Sequence, residues 1–332
     1  MEELVFVLIF LAVTCVAITI ILLAVAGLAA LCGGAFLTVF VKGLWALLLP
    51  PALVLYGWLI GRDRIAVNTV EIVSENIPES FDGYRIVHIS DMHLRSFRNR
   101  KGVLFGIVDR INALRPDLIA FTGDLVTSHP SETEPFMDAL RRLEAADGIL
   151  SVMGNHDYCP YNDWKSAGER EKAVAEVRAR ERAAGWTLLD NDCIVIGRKG
   201  ADGTDSIAVA GVENISAMKQ FESYGDLPKA LEGASGSFRI LLSHDPTFWR
   251  QGIAGKADIG LTLSGHTHNA QMKILGLEPS RLVFRENSGL YSENTRYGRQ
   301  YLYVNDGLGE TMFPARVGVP AEITVLVLKH GS

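Results

Sequence analysis

The first sixty residues constrain this chain most, because they are almost free of charge. No charged residue occurs from Leu4 to Val41, and Lys42 is the only one between Leu4 and Arg62. One helical crossing of a bilayer needs about 20 apolar residues, so this stretch is long enough for two. The sequence therefore predicts two membrane-spanning helices followed by a separate domain, with approximate bounds of 4–31 and 36–60 for the helices and 63–332 for the domain.

Two other interpretations of this segment fit less well. A secretory signal has a short apolar core preceded by positive charge, whereas this chain begins Met1-Glu2-Glu3. Buried helices of a soluble core carry a polar face, and these segments show none. A turn is predicted near Cys32-Gly33-Gly34, and a kink in the second helix at Pro50-Pro51.

Charge on the two sides of the helix pair predicts its orientation. Arg62 and Arg64 follow the second helix, while the connecting turn has only Lys42 nearby. The positive-inside rule then favours the cytoplasmic side for the C-terminal domain.

Composition excludes several classes of protein. The chain has 332 residues, 48% of them hydrophobic and 21% charged, which is not the composition of a disordered protein. Its net charge of −6 argues against general nucleic-acid binding, which needs a cationic face. Four cysteines are too few for a disulfide framework in a chain of this length.

After residue 62 short apolar runs alternate with longer polar helical stretches, which indicates an α/β domain. Helices are predicted at 103–114, 136–143 and 165–184. The helix at 165–184 either covers the functional site as a cap, which we favour, or is a plain surface helix. Strands are predicted at 84–90, 118–122, 149–153, 206–211, 238–243, 259–264, 301–305 and 323–328.

Five polar clusters follow predicted strands. They are Asp91-Met92-His93, Gly123-Asp124, Gly154-Asn155-His156-Asp157, Ser243-His244 and Gly265-His266-Thr267-His268. In open α/β sheets, ligands bind beyond the carboxyl ends of the strands. Imidazole, carboxylate and amide ligands without thiolate suit Mn, Fe, Zn or Co. Each cluster alone is compatible with a turn or a core histidine, but their joint occurrence predicts a metal centre.

In this order, the clusters resemble the signature of the calcineurin-like metallophosphoesterase superfamily, over about residues 64–329. More loosely, the chain is similar to the membrane-anchored bacterial branch, which resembles the UDP-2,3-diacylglucosamine pyrophosphatases. The resemblance implies a four-layer αββα sandwich, with two packed mixed β-sheets flanked by helices, preceded here by the transmembrane helical hairpin.

The resemblance also implies a role for each matching residue. Two divalent metal ions are expected, with Mn favoured over Fe, Zn or Co. The first metal would be bound by Asp91, His93 and His268, and the second by Asn155, His244 and His266. Asp124 would bridge the two, and His156 would be the catalytic histidine. Because no motif position is missing, a non-catalytic membrane scaffold on this fold is disfavoured.

The expected reaction is hydrolysis of a phosphodiester, phosphomonoester or pyrophosphate bond by a metal-bridging hydroxide. His156 would stabilise the phosphoryl oxygens or donate a proton to the leaving oxygen. The substrate is expected to be lipid-linked, for example UDP-diacylglucosamine. The alternative is a soluble nucleotide, with the hairpin serving only as an anchor.

Two further features have alternative interpretations. The basic patch Arg95, Arg98, Arg100 and Lys101 is either an anion-binding rim for the substrate or part of a solvated loop. Asp157 either orients a histidine of the site or is a simple turn carboxylate.

Overall fold

Two apolar helical segments open the computed structural model, which describes residues 2–201 and 203–331. The first is α1 (Glu2–Leu31). The second comprises α2 (Phe36–Gly43), a 3-10 segment (Leu44–Leu48) and α3 (Leu49–Leu59). By length and composition both segments can cross a membrane, over Leu4–Leu31 and Phe36–Asp63, as the sequence predicts.

The second segment changes its helical geometry next to its two prolines. The 3-10 turn ends at Leu48, and Pro50 and Pro51 occupy the first turn of α3. Proline has no N–H to donate to the preceding turn, so an α-helix cannot continue regularly through this point. The irregular turn therefore coincides with the predicted kink.

Four further α-helices and twelve strands follow in the described part of the chain. The helices are α4 (Lys101–Ala113), α5 (Met137–Arg141), α6 (Ala167–Ala183) and α7 (Leu227–Ala230). The first six strands are β1 (Ile65–Ser74), β2 (Arg85–Ile89), β3 (Leu118–Phe121), β4 (Ile149–Ser151), β5 (Thr187–Leu188) and β6 (Asp192–Lys199). The others are β7 (Thr204–Gly211), β8 (Phe238–Leu242), β9 (Leu261–Ser264), β10 (Gly289–Thr295), β11 (Gly298–Val304) and β12 (Ala321–His330).

The strands form two six-stranded mixed sheets. The first has the order β1-β12-β2-β3-β4-β5, and the second β10-β11-β9-β8-β7-β6. Strands β2, β3 and β4 are parallel to one another, as are β7, β8 and β9. Side chains of both sheets, such as Ile86 and Ile240, form one core between them.

Helices cover the outer faces of this pair of sheets. The first sheet packs against α4, α5 and α6 through a core that includes Ile107 and Val177. The second packs against α7 and the Trp249–Ile253 turn through a third core. The expected arrangement of two packed mixed sheets flanked by helices is therefore confirmed.

The end of the helical hairpin packs directly on the domain. Arg316 N donates a hydrogen bond of 3.3 Å to Gly57 O in α3. A Cβ atom at Gly57 would lie 2.7 Å from Val317 Cγ2, so this approach requires glycine. The rings of Phe10 in α1 and Phe313 lie 5.6 Å apart. The start of α1 and the end of α3 thus both lie beside the 313–317 segment.

Candidate metal centre

The predicted ligands come from the carboxyl ends of strands in both sheets. Asp91, Asp124 and Asn155 follow β2, β3 and β4 of the first sheet. His244 and His266 follow β8 and β9 of the second. Because the two sheets pack face to face, the five strand ends meet at one edge of the sandwich.

Asp91, His93 and His268 form the first group of candidate ligands, with their ligand atoms all within 4.8 Å of one another. His93 Nε2 and His268 Nε2 are 3.1 Å apart, and His268 Nε2 is 3.2 Å from Asp91 Oδ1. All three side chains are buried. Two imidazole nitrogens and one carboxylate oxygen that lie close together and are shielded from solvent can bind a cation.

Asp124, His244 and His266 form the second group. His244 Nε2 lies 3.1 Å from Asp124 Oδ2 and 3.2 Å from Asn155 Oδ1. His244 Nδ1 is 2.6 Å from Thr122 O. A carbonyl oxygen only accepts, so Nδ1 carries the proton and the Nε2 lone pair of the neutral ring is left for a ligand.

Asp124 also reaches the first group. Its Oδ2 atom is 3.6 Å from His93 Nε2 as well as 3.1 Å from His244 Nε2. Its Oδ1 atom accepts a hydrogen bond of 2.8 Å from the backbone N–H of His156. The carboxylate is thus fixed between the two groups, where the sequence predicts a bridging ligand.

Five candidate ligands have left-handed backbone conformations. The φ angles are 51° for Asp91, 40° for His93, 59° for Asp124, 72° for His266 and 49° for His268. For residues other than glycine this region is sparsely populated and costs about 1–3 kcal/mol each. Such strain persists only where the surroundings enforce it, and it clusters at functional sites.

Gly265 lets the two sheets approach each other at the site. A Cβ atom at this position would overlap Ser90 Oγ and Asp91 Oδ2. The neighbouring backbone N–H of His266 donates to Asp91 Oδ2 at 3.0 Å. Glycine here therefore allows the loop after β9 to lie directly against the first group of ligands.

Electrostatics keep the carboxylates ionised. Burial alone would raise the pKa of Asp91, but neighbouring histidines, His268 foremost, hold it well below its usual value. Burial likewise opposes ionisation of Asp124, yet His244 and the other histidines lower its pKa. Burial, followed by the charge of His156, lowers the pKa of His93 and keeps it neutral.

The pKa of His244 moves in the opposite direction. Burial lowers it, but the Asp124 carboxylate outweighs this effect and raises the pKa to about 10. The site therefore attracts positive charge, in the form of a proton when no other cation is bound. Once a metal displaces that proton from His244, the ionised carboxylates, the imidazole nitrogens and the Asn155 amide together fit divalent metal ions.

His156 borders the candidate ligands. Its Nδ1–H donates to Thr127 O at 2.7 Å, which leaves Nε2 on the other side of the ring. The rings of His156 and His93 lie 4.8 Å apart, edge to face. His156 lines the cavity described below, and one of its ring nitrogens lies within 4.8 Å of ligand atoms of His93 and Asp124.

Asp157 has a different role from the two alternatives considered from the sequence. Its buried carboxylate accepts hydrogen bonds from the backbone N–H groups of Asp124 (2.7 Å), Gly154 (2.9 Å) and Val126 (3.1 Å). Burial, reinforced by the charge of Asp124, raises its pKa to about 7. Asp157 thus joins the loops after β3 and β4 through their backbones and positions Asp124.

Sequence reasoning missed Asp245 and Arg316. Asp245 is buried, and its Oδ2 lies 3.7 Å from His266 Nε2. Its position directly after His244 is the only signal in the sequence. The buried guanidinium of Arg316 donates to the carbonyl oxygens of Gly307 (2.9 Å) and Gly309 (2.5 Å). It thereby holds the loop that packs behind Asp91.

A cavity of about 930 Å³ opens beside the ligands. Asp124, Asn155, His156, His266 and His268 are among the residues that line it. The same lining has an apolar wall, formed by Phe6 of α1, Phe221, Phe284, Met312 and Phe313. The cavity therefore connects the candidate metal site with the first apolar helix.

The basic patch predicted at 95–101 is divided in the structure. Arg95 lines the cavity. Arg100 instead pairs with Asp63 at the end of the hairpin and with Glu310, at 2.9 Å from the latter. Arg98 and Lys101 are exposed. Of the patch, only Arg95 is among the described residues that line the cavity.

Helix α6 does not form the cap over the site that the sequence analysis favours. Its buried residues Ala173, Val174 and Val177 belong to the core on the outer face of the first sheet. The cavity is lined instead by Tyr161 and Asn162, which precede the helix. Alternating Ala, Glu and Arg residues predict a solvated helix but do not indicate which neighbour it packs against.

Several known proteins are similar to this chain. A transmembrane protein with metallophosphoesterase domain from Danio rerio is 32% identical over 301 residues, covering 86% of this chain and 62% of that protein. Its counterpart from Bos taurus is 32% identical over 292 residues, with the same two coverages of 86% and 62%. This chain thus spans less than two thirds of those two relatives.

A bacterial relative matches over nearly its whole length. The uncharacterized metallophosphoesterase YkuE from Bacillus subtilis is 30% identical over 298 residues, which cover 87% of this chain and 96% of YkuE. Residues 84–270, which contain every candidate ligand from Asp91 to His268, match the family described as calcineurin-like phosphoesterase. On this evidence, the chain belongs to the calcineurin-like phosphoesterase family.

Proposed function

We propose that the protein is a membrane-anchored hydrolase of phosphoester or phosphoanhydride bonds that uses two divalent metal ions. Asp91, His93 and His268 would bind one ion, and Asn155, His244 and His266 the other. The observation that carries this proposal is the position of Asp124, whose Oδ2 lies 3.6 Å from His93 Nε2 and 3.1 Å from His244 Nε2. One carboxylate can therefore serve both ions.

The residues around the ions have separate tasks. Bound divalent ions, with Mn favoured over Fe, Zn or Co, would neutralise phosphoryl oxygens and lower the pKa of a water molecule. His156 is held by Thr127 O through Nδ1, so its Nε2 can bind a phosphoryl oxygen or carry the proton for the leaving oxygen. Asp157 keeps Asp124 in place through the backbone.

The substrate we propose is a phosphoester or pyrophosphate linked to a lipid, such as UDP-diacylglucosamine. The lining of the cavity supports this, since candidate ligands for phosphate-binding metals and an apolar wall that includes Phe6 of α1 border the same space. An acyl chain would find apolar contacts on that wall while the phosphate reaches the ligands. Arg95, also on the cavity lining, would contact a second phosphate.

The proposed location is the membrane, with the catalytic domain on the cytoplasmic side. The two apolar helices support the first part, and Arg62 and Arg64 support the second. Proteolysis of sealed inside-out and right-side-out vesicles checks the orientation. The domain should be digested only in the inside-out preparation.

The test of function uses the purified full chain, stripped of metal and reloaded in turn with Mn²⁺, Fe²⁺, Zn²⁺ or Co²⁺. It compares UDP-2,3-diacylglucosamine, a soluble nucleotide pyrophosphate and an aryl phosphodiester. We expect metal-dependent hydrolysis and the highest kcat/KM with the lipid substrate. Faster hydrolysis of the soluble nucleotide than of the lipid substrate would indicate that the hairpin serves only as an anchor. No hydrolysis with any of the four metals would indicate a non-catalytic scaffold.

A paired substitution tests the apolar wall. Phe6→Ala removes a ring that lines the cavity and should lower kcat/KM for the lipid substrate while leaving the aryl substrate unchanged. Leu8→Ala is the matched control, since Leu8 lies on the same helix with its side chain exposed. Equal effects of the two substitutions would contradict a role for the wall in substrate binding.

A further inference from the structure

The loop from 274 to 284 exposes an unusual number of aliphatic side chains. Leu275, Leu277, Leu282 and Val283 are 98%, 74%, 90% and 62% exposed. Soluble domains scatter single apolar residues over their surface, whereas a contiguous exposed group marks an interaction site. None of these residues has a part in the metal site.

Buried polar contacts fix the base of this loop. Ser280 Oγ donates to Asn269 Oδ1 at 2.6 Å, and Asn287 Nδ2 donates to the same oxygen at 3.0 Å. All three side chains are buried. The leucines are therefore exposed on a loop whose base is held in place.

The loop begins at the segment on which the helical hairpin packs. Lys273 N donates to Val317 O at 2.7 Å, and Met272 forms an isolated β-bridge with Val317. Val317 is also the residue nearest to a Cβ atom placed on Gly57 of α3. The loop thus starts at the end of the domain from which the two apolar helices leave.

The same loop borders the mouth of the cavity. Ala270 and Gln271 before it and Phe284 at its end line the cavity. Met312, which is exposed, and Phe313, which contacts Phe10 of α1, lie on the same lining. Apolar side chains of the cavity lining therefore connect the end of this loop with the start of α1.

The exposed charges near the leucines are basic. Arg281 and Arg285 are exposed, whereas the carboxylates of their partners Glu278 and Glu286 are buried. Exposed aliphatic side chains next to basic ones are typical of segments that lie in the interface of a bilayer with anionic lipids.

We infer that the 274–284 loop inserts Leu275, Leu277, Leu282 and Val283 into the bilayer that the hairpin spans. This inference rests on the membrane anchoring proposed above. The loop is then a second membrane contact, which holds the cavity mouth against the lipid surface. A lipid-linked molecule can enter the cavity there without exposing its acyl chains to water.

The test places a fluorophore on the loop. The full chain, with its four cysteines replaced by serine or alanine, carries NBD at Leu282→Cys and is reconstituted in vesicles of phosphatidylcholine and phosphatidylglycerol. The matched control is Val195→Cys, an exposed aliphatic residue on β6, at the opposite edge of the second sheet from β10. Resistance to carbonate extraction measures the anchoring separately.

We expect blue-shifted emission and strong quenching by brominated lipids at position 282, and neither at position 195. Retention in the membrane without quenching at 282 would overturn the inference and leave the anchoring intact. Equal quenching at both positions would indicate general adsorption of the domain to the bilayer and would contradict a specific insertion of the loop. A blue shift that brominated lipids do not quench would assign the loop to a protein partner, such as a second copy of the chain. Extraction by carbonate would refute the anchoring and the inference together.

A second measurement avoids the loss of the cysteines, one of which is the buried Cys159. A photoreactive amino acid at position 282 in the otherwise unsubstituted chain should crosslink to lipid, and at position 195 it should not. Crosslinking at 282 to protein alone would contradict insertion.

Discussion

His156 and Asp157 are adjacent in the chain, but their side chains have different surroundings. The ring of His156 lines the cavity, with Nδ1 engaged by Thr127 O. The carboxylate of Asp157 is fully buried and accepts three backbone hydrogen bonds. The first residue can contact a substrate, whereas the second positions the loops that carry the ligands.

His156→Ala should therefore lose turnover but keep its metal. Removing an oriented proton donor or oxyanion ligand typically costs about 10²–10³-fold in rate. Metal content per purified chain and kcat for the aryl phosphodiester measure the two effects. His330→Ala is the matched control, because this exposed histidine lies at the end of β12 and should change neither quantity. Loss of metal from His156→Ala would reassign the residue as a ligand.

At this scale the sequence predicts ligand types well and contacts poorly. Asp91, His93 and His268 were identifiable because a family pattern specifies residue types at strand ends, and the structure brings them together. The role of Asp157 was not identifiable from the sequence, because its carboxylate accepts hydrogen bonds from backbone N–H groups, which every residue except proline has. The ion pair of Arg100 with Asp63 was not identifiable from the sequence either, since it depends on where the hairpin packs on the domain.

Among the elements, strands buried on both faces were predictable from their apolar runs. β3 and β8 are examples, and their observed bounds differ from the predicted ones by one residue. None of the four edge strands is predicted from the sequence. In β1, β6 and β10 one side is exposed and polar residues interrupt the apolar pattern, and β5 has only two residues. Strand order was not accessible from local patterns, since β1 pairs with β12 across the whole domain.

The loop after β9 tests how closely the two sheets must approach. Gly265→Ala would place a methyl group against Ser90 Oγ and Asp91 Oδ2. Overpacking of this kind costs about 1–3 kcal/mol, and here it would also separate the ligands of the two sheets. We expect a lower melting temperature, weaker metal binding and a large loss of activity.

Gly168→Ala is the matched control for this substitution. Gly168 lies in the first turn of α6, where a Cβ atom would meet nothing within 4 Å. Alanine is the better helix former there, so stability should stay the same or rise. An equally mild effect of Gly265→Ala would show that the site does not depend on this close approach.

In the whole molecule, the hairpin is packed on the domain and also contributes to the cavity. Gly57 and Phe10 contact the 313–317 segment, and Phe6 lines the cavity. The domain nevertheless has its own three hydrophobic cores and all the candidate ligands. Folding and the proposed binding of a lipid substrate are therefore expected to depend on the hairpin to different degrees.

The fragment from Arg64 to Ser332 separates these two contributions. We expect it to fold and bind metal, and to hydrolyse the aryl phosphodiester at a rate close to that of the full chain. Without Phe6 and the bilayer, its preference for the lipid substrate should disappear. Circular dichroism, metal analysis and the two kcat/KM values measure this. Aggregation of the metal-loaded fragment would instead make the hairpin part of the folding unit.

The central claim is that Asp124 serves two metal ions, and metal stoichiometry tests it most directly. The full chain and Asp124→Asn are reconstituted with Mn²⁺, and bound metal per chain is measured by mass spectrometry alongside turnover of the aryl phosphodiester. The account predicts two ions in the full chain, and in Asp124→Asn weaker binding of both together with loss of turnover. Two tightly bound ions and a near-normal rate in Asp124→Asn would contradict it.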